Sequence, residues 1–187
     1  MFTINEITQI GLWLIYLLIP IIALYLLYLI LTKAFKYMGF SSFEAIFIIF
    51  ISFLFGFEIT IFGINISNLY LFTYGNWKVG INLGGAIIPI TLSIYLTIKK
   101  KISLKKIFIG ILVVTIITFF VSKPVPTEGI ITTFPYWLLP AFFSSITSVI
   151  LSWKDFTKAA PLAYISGTIG VLIGADFLHL PASSRNK

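Results

Sequence analysis

The sequence predicts an all-α integral membrane protein, a bundle of about six transmembrane helices with a short extracytoplasmic β-hairpin over residues 69–81. Three observations carry this. The chain is 59% hydrophobic and only 10% charged, where an ordinary soluble domain is about 25% charged. Its mean hydropathy is +1.06, so it cannot cover itself with polar surface and its solvent has to be lipid. Six apolar segments, 10–31, 45–64, 81–98, 102–122, 134–153 and 160–180, reach the length that crosses roughly 30 Å of hydrocarbon. On this reading residues 1–187 form one transmembrane domain.

The N-terminus carries Glu6 and no basic run, whereas a signal-peptide core would be shorter and would follow positive charge. Segment 10–31 is therefore read as a retained helix. Segment 45–64 contains Glu58, and the third segment opens at Asn82. The fourth is clean only from Ile107 to Val121, which leaves Lys105 and Lys106 to snorkel from its first turn. Trp13, Tyr136, Trp137 and Trp153 fall near the expected interfaces. Between the second and third segments, Leu69 to Tyr74 alternates aliphatic with aromatic residues, Gly75-Asn76 suits a tight turn, and Trp77 to Ile81 resumes the pattern. That is a hairpin signature. Asn65-Ile66-Ser67 is a glycosylation sequon if it stands clear of the bilayer. Residues 123–129, Lys-Pro-Val-Pro-Thr-Glu-Gly, read as a rigid connector. The segments share no motif, which argues against an inverted-repeat transporter.

Charge gives the orientation. Lys33, Lys36, Lys99, Lys100, Lys101, Lys105, Lys106, Lys154 and Lys158 fall on one side, and Lys78, Lys123, Arg185 and Lys187 on the other. The lysine-rich side is cytoplasmic, which puts both termini outside a multi-pass cell-membrane protein. The net charge of +7 is thereby explained by topology and anionic headgroups. Without a basic-aromatic module, nucleic acid is not an expected partner. The expected partners are the lipid bilayer and either a second copy or another membrane protein. Cysteine is absent and His179 is the only histidine. Disulfides, thiolate sites and multi-histidine metal sites are excluded, and no metal or cofactor is expected. Abundant Ile and Lys, with little Met, hint at a thermophilic or AT-rich source.

Candidate chemistry gathers toward the outer leaflet. Asp176 lies about 6 Å inside the end of the sixth segment, and Glu58 about 9 Å inside the second, at 1.5 Å per residue. An intramembrane carboxylate is expensive and is a functional handle by default. His179 lies three residues beyond Asp176, so both side chains share a helix face. Ala163, Gly167, Gly170 and Gly174 form a small-residue seam for close helix packing. Asp176 lies about 200° around the helix from Gly174 at 100° per residue, so the carboxylate points away from that seam. Asn82 is placed to cap a helix, and Gly84 and Gly85 leave its first amides open to a ligand before Pro89 kinks the helix or re-enters it after a break. The candidate ligand site is thus an outward-facing vestibule of Asp176, Glu58, Asn82, His179, Gly84 and Gly85. The structural alternative makes Asp176 an interfacial or interhelical clasp, Glu58 an interhelical hydrogen bonder, His179 interfacial, and Gly84-Gly85 a packing notch.

The motifs G-I-N-L-G-G-A-I-I-P at 80–89, K-P-V-P-x-x-G-I at 123–130 and A-P-L-A-Y-I-S-G-T-I-G-V-L-I-G-A-D at 160–176 resemble the DUF1614 family of archaeal and bacterial membrane proteins. The resemblance covers the chain from the third segment onward and brings no catalytic residue with it. Members of that family usually continue past the G-A-D element into a second aspartate-bearing segment. This chain ends with residues 181–187, Pro-Ala-Ser-Ser-Arg-Asn-Lys, as expected of a short member or a truncated chain. Three functions remain open: binding or transport of a small polar solute or cation near Asp176; assembly through the glycine seam; and intramembrane aspartyl proteolysis, since G-A-D-F resembles the G-x-G-D element of such enzymes. The third needs a second carboxylate sharing a proton. Only Glu58 offers one, and the balance is against an enzyme.

Overall fold

The computed structural model describes residues 4–74, 77–125 and 129–180. It is mostly helical and divides into two compact units, Met1–Ile46 and Phe47–Lys187.

The first unit is built on α1 (Ile4–Met38), 35 residues without a break, or about 52 Å of helix. It outlasts the expected 10–31 segment at both ends. A glycine-dependent stop closes it: Gly39 has φ +94°, the Phe40 N–H donates to the Phe35 carbonyl at 3.1 Å and the Gly39 N–H to that of Lys36 at 3.0 Å. The Phe35 and Phe40 rings meet at 5.8 Å, the apolar contact that accompanies such a cap. A capping box then opens α2 (Ser42–Leu54). The Ser41 N–H donates to Glu44 Oε2 at 2.7 Å, and the Glu44 N–H returns to Ser41 Oγ at 3.2 Å.

The second segment differs from expectation. Its helix stops at Leu54 after 13 residues, about 20 Å and short of the hydrocarbon thickness. Beyond it the chain forms a hairpin, β1 (Thr60–Ile61) against β2 (Ile64–Asn65). Phe62 and Gly63 have φ values of +51° and +80°, the two left-handed residues that a tight two-residue hairpin turn requires. Apolar composition reads the same in a strand as in a helix; here the Phe-Gly turn decides.

A longer hairpin comes next, β3 (Asn68–Tyr74) paired antiparallel with β4 (Trp77–Asn82). Its Gly75-Asn76 turn lies outside the described residues, and its register slips between Tyr70 and Phe72. A π-turn, Leu83–Ile87, leads into α3 (Ile88–Lys99). Pro89 stands in the first turn of α3, directly after the π-turn, so of the two expected roles it takes the re-entry into regular helix rather than a kink. α4 spans Leu104–Val121. The expected rigid connector is in part a short hairpin, β5 (Lys123–Val125) with β6 (Gly129–Ile131). α5 is Leu139–Leu151, and α6 is Ala159–Val171, prolonged by a second π-turn, Leu172–Phe177.

Within this unit α6 packs against α3, α4 and α5. The contact is lined by Val114, Leu162 and Ile165, none more than 1% exposed. Small and hydroxylated residues let the backbones approach. Thr115 Oγ1 donates to the Gly170 carbonyl at 3.3 Å, and Ser144 and Ser166 share a hydrogen bond of 3.0 Å between α5 and α6.

Among the described residues three stretches are long and apolar enough to cross a membrane, namely Gly11–Met38, Leu104–Val121 and Phe156–Phe177. Shorter apolar helices occupy Ser42–Leu54, Leu83–Lys99 and Tyr136–Leu151. Large apolar side chains such as Phe120 and Ile98 stand exposed, consistent with lipid as the solvent and pointing to a membrane protein.

Candidate functional site

The two π-turns border one open cavity of about 620 Å³, within the usual range for small-molecule sites. From α6 and its π-turn come Leu172, Ile173, Asp176 and Phe177. Asn82, Gly85, Ala86 and Ile90 form the wall at the start of α3. The β3–β4 hairpin closes a third side with Leu71, Phe72, Val79 and Ile81. Successive strand residues ordinarily point to opposite faces. The slip between Tyr70 and Phe72 breaks that alternation, which accounts for Leu71 and Phe72 lining the same space.

Each expected site residue has a definite place. Asp176 lies on the cavity wall, exposed. Asn82 lies there too, but its amide is largely committed. Its Oδ1 accepts the Gly85 N–H at 2.6 Å, capping the π-turn, while its Nδ2 donates to Asn68 Oδ1 at 2.7 Å. Gly85 therefore lines the cavity with an N–H already bound to Asn82.

Gly84 faces the opposite way. A Cβ there would stand 2.1 Å from the Ser52 carbonyl oxygen and 2.4 Å from the Gly56 nitrogen. Its own N–H donates to the Phe55 carbonyl at 3.3 Å. It is the notch through which the π-turn meets the end of α2, not a point of ligand approach.

Glu58 is not in a membrane helix. It lies exposed in the connection between α2 and β1, accepts a 2.8 Å hydrogen bond from Asn65 Nδ2, and is not among the residues lining the Asp176 cavity. The displacement results from the early end of α2. Asn65 is tied down on its other side as well, with Oδ1 accepting the N–H groups of Ser67 and Asn68 at 3.0 and 2.8 Å. Ser67 is fully buried and accepts the Ile59 N–H at 3.1 Å. Asn65 of the sequon thus sits half-buried at the end of β2, with its side chain engaged on both sides.

His179 is not among the residues lining the Asp176 cavity, for a reason the regular wheel omits. In the second π-turn the Leu178 N–H bonds to the Ile173 carbonyl, five residues back, at 2.9 Å. The widened turn admits an extra residue and shifts the angular register beyond it. His179 consequently packs against α4. Its ring stacks on Phe119 at 4.7 Å and is only 6% exposed. Nδ1 lies 3.0 Å from both the Gly174 and Ala175 carbonyls, so this nitrogen carries the proton.

The small residues of α6 meet partners within the chain. Ala163 accepts the Ser144 hydroxyl through its carbonyl, and a Cβ on Gly167 would lie 3.3 Å from Ser144 Oγ. A Cβ on Gly170 would strike Val114 at 2.6 Å, and one on Gly174 the Thr115 carbonyl oxygen at 2.5 Å. Sequence reasoning missed the hairpin side of the cavity and both π-turns. Only the Asn82-x-x-Gly85 cap was visible as a signal.

At the far ends of the helices the turns are basic. Asp155 accepts hydrogen bonds from the Thr157 hydroxyl and N–H, and pairs with Lys158 at 3.3 Å. The Thr157 hydroxyl first, and Lys158 with it, hold the Asp155 carboxyl below its ordinary range.

Among the described residues no group of three or more His, Cys, Asp or Glu side chains is placed to hold a metal. Comparison with curated proteins and with solved structures gives no match. A family model described as "Protein of unknown function (DUF1614)" matches residues 55–187, a stretch that holds both π-turns, the β3–β4 hairpin and every wall of the cavity. The chain belongs to the DUF1614 family.

Proposed function

We propose that this protein is a multi-pass cell-membrane protein that binds, and carries across the bilayer, a small polar solute or cation through the cavity beside Asp176. The three long apolar stretches and the three shorter helices make up its transmembrane bundle. The lysine turns face the cytoplasm and the cavity faces outward. Chain direction supports that placement: α3 starts at the cavity and ends at Lys99, whereas α6 starts beside Lys158 and ends at the cavity.

The observation that carries the reading is the meeting of two π-turns, from separate helices, at one carboxylate-bearing cavity. π-turns cost helical hydrogen-bond geometry and recur at functional sites, and a carboxylate at the end of an apolar helix marks substrate and ion pathways. Assembly through the glycine seam lacks such support, because Gly170 and Gly174 already meet α4 of the same chain. Proteolysis lacks a second carboxylate among the described lining residues.

Reconstitution into liposomes tests the proposal, with flux of protons, alkali cations and organic amines measured for wild type and Asp176→Asn. Wild-type flux of one class, lost in a variant that elutes as a folded protein, is the expected result. Flux that is indifferent to the substitution would rule the reading out.

A further inference from the structure

We infer that the ligand of the Asp176 cavity is an amphiphilic organic cation, an ammonium group carried on an apolar body, rather than a bare inorganic ion. The inference rests on the binding reading above and narrows its ligand class.

The walls decide it. Leu71, Phe72, Ile90, Leu172, Ile173 and Phe177 surround a single carboxylate, that of Asp176. An inorganic cation stripped of water needs a shell of oxygens, six to eight for calcium. Here the other side-chain oxygen on the wall, Asn82 Oδ1, is engaged by the Gly85 N–H at 2.6 Å. No cluster of three ligating residues exists among those described.

An ammonium group needs less. One carboxylate gives it a charge-assisted hydrogen bond, and its remaining N–H groups stay hydrated at the open side. The aliphatic and aromatic walls then desolvate the body that carries it. About 620 Å³ is far more space than a monatomic ion fills and suits an apolar body of several carbons. The hairpin supports the same reading. The slip that brings Leu71 and Phe72 together to the cavity adds apolar surface and no ligand oxygen.

The test is equilibrium binding of radiolabelled octylamine and octanol to the full chain in phosphatidylcholine nanodiscs, with Asp176→Asn as the matched background. Wild type should bind octylamine saturably and at least about tenfold more tightly than octanol, the scale of a charge-assisted hydrogen bond. Asp176→Asn should erase that preference and leave octanol binding unchanged. If the variant does not fold, the octylamine-to-octanol ratio on wild type still decides, and equal affinities overturn the inference. Rubidium or calcium binding that depends on Asp176, without octylamine binding, would overturn the inference and keep the binding reading. No probe binding in an Asp176-dependent way would overturn both.

Discussion

Gly84→Ala separates a structural from a ligand-facing role for the double glycine. The added Cβ would lie 2.1 Å from the Ser52 oxygen, 2.4 Å from the Gly56 nitrogen and 2.6 Å from the Phe55 carbonyl carbon. Ordinary contact begins near 3.4 Å, so the Ser52 oxygen, at 2.1 Å, must retreat by about 1.3 Å. All three atoms are backbone, and no side chain can rotate to relieve them. Overpacking of this kind costs about 1–3 kcal/mol. The same retreat breaks the 3.3 Å hydrogen bond from Gly84 to Phe55, worth about 0.5–1.5 kcal/mol. Alanine returns about 1 kcal/mol in helix propensity. The net loss is about 2 kcal/mol, roughly a thirtyfold fall in the folding equilibrium. Gly85→Ala is the control, because its Cβ would meet only the Asn82 side chain, at 3.2 Å; its stability should change by no more than about 0.5 kcal/mol. Equilibrium denaturation in mixed micelles, followed by circular dichroism, measures both. A Gly84→Ala protein as stable as wild type, or a Gly85→Ala protein equally weakened, would refute the packing argument.

The same logic orders the glycines of α6. Gly174→Ala meets the Thr115 carbonyl oxygen at 2.5 Å and should destabilise by about 1–2 kcal/mol, while Gly167→Ala meets only the Ser144 hydroxyl at 3.3 Å and should be near neutral. Thermal unfolding in detergent ranks the pair, and the reverse order would contradict the geometry. Asn82→Ala removes the cap on Gly85 and should cost about 1 kcal/mol. Asn82→Asp keeps the acceptor but loses the donor to Asn68 and should fall between; denaturation midpoints showing Asp no better than Ala would reject the capping role. Asp155 should titrate below its ordinary value of 3.8 by carboxyl NMR, and Thr157→Val should raise it. A lowered folded-state pKa means the contact stabilises above the unfolded value and is lost as pH falls through the folded one. An unchanged titration in Thr157→Val would show that the hydroxyl is not the main cause.

Legibility in the sequence tracked the reach of each physical signal. Apolar stretches of bilayer length marked 102–122 and 160–180, where α4 and α6 lie, because lipid imposes one requirement on every residue of a span. The β3–β4 hairpin was legible from alternation and Gly75-Asn76. The signal failed at 45–64, where apolar composition is shared by helix and strand and the Phe62-Gly63 turn carries the information. The caps around α2 were written locally, in Gly39 and in Ser41-x-x-Glu44. They mark where α2 starts but not where it stops.

The site shows a different limit. Asn82, Gly85 and Asp176 do share a cavity. Glu58 and His179 were grouped with them by depth and by a helical wheel, and both inferences assumed regular helix. The wheel fails where a π-turn widens the helix, as the Leu178 to Ile173 bond shows. The regularity that makes a membrane helix predictable is suspended at the two places that border the cavity. Restoring it is therefore a direct probe of the site. Deleting one residue from Leu172–Phe177 should convert the π-turn to α-helix and rotate the residues beyond it by about 100°. If the deletion is placed before Asp176, the carboxylate leaves the cavity while His179 must abandon Phe119 or drag the helix end with it. Loss of both the Phe119–His179 contact and Asp176-dependent binding is then expected together, because one irregular turn sets both positions.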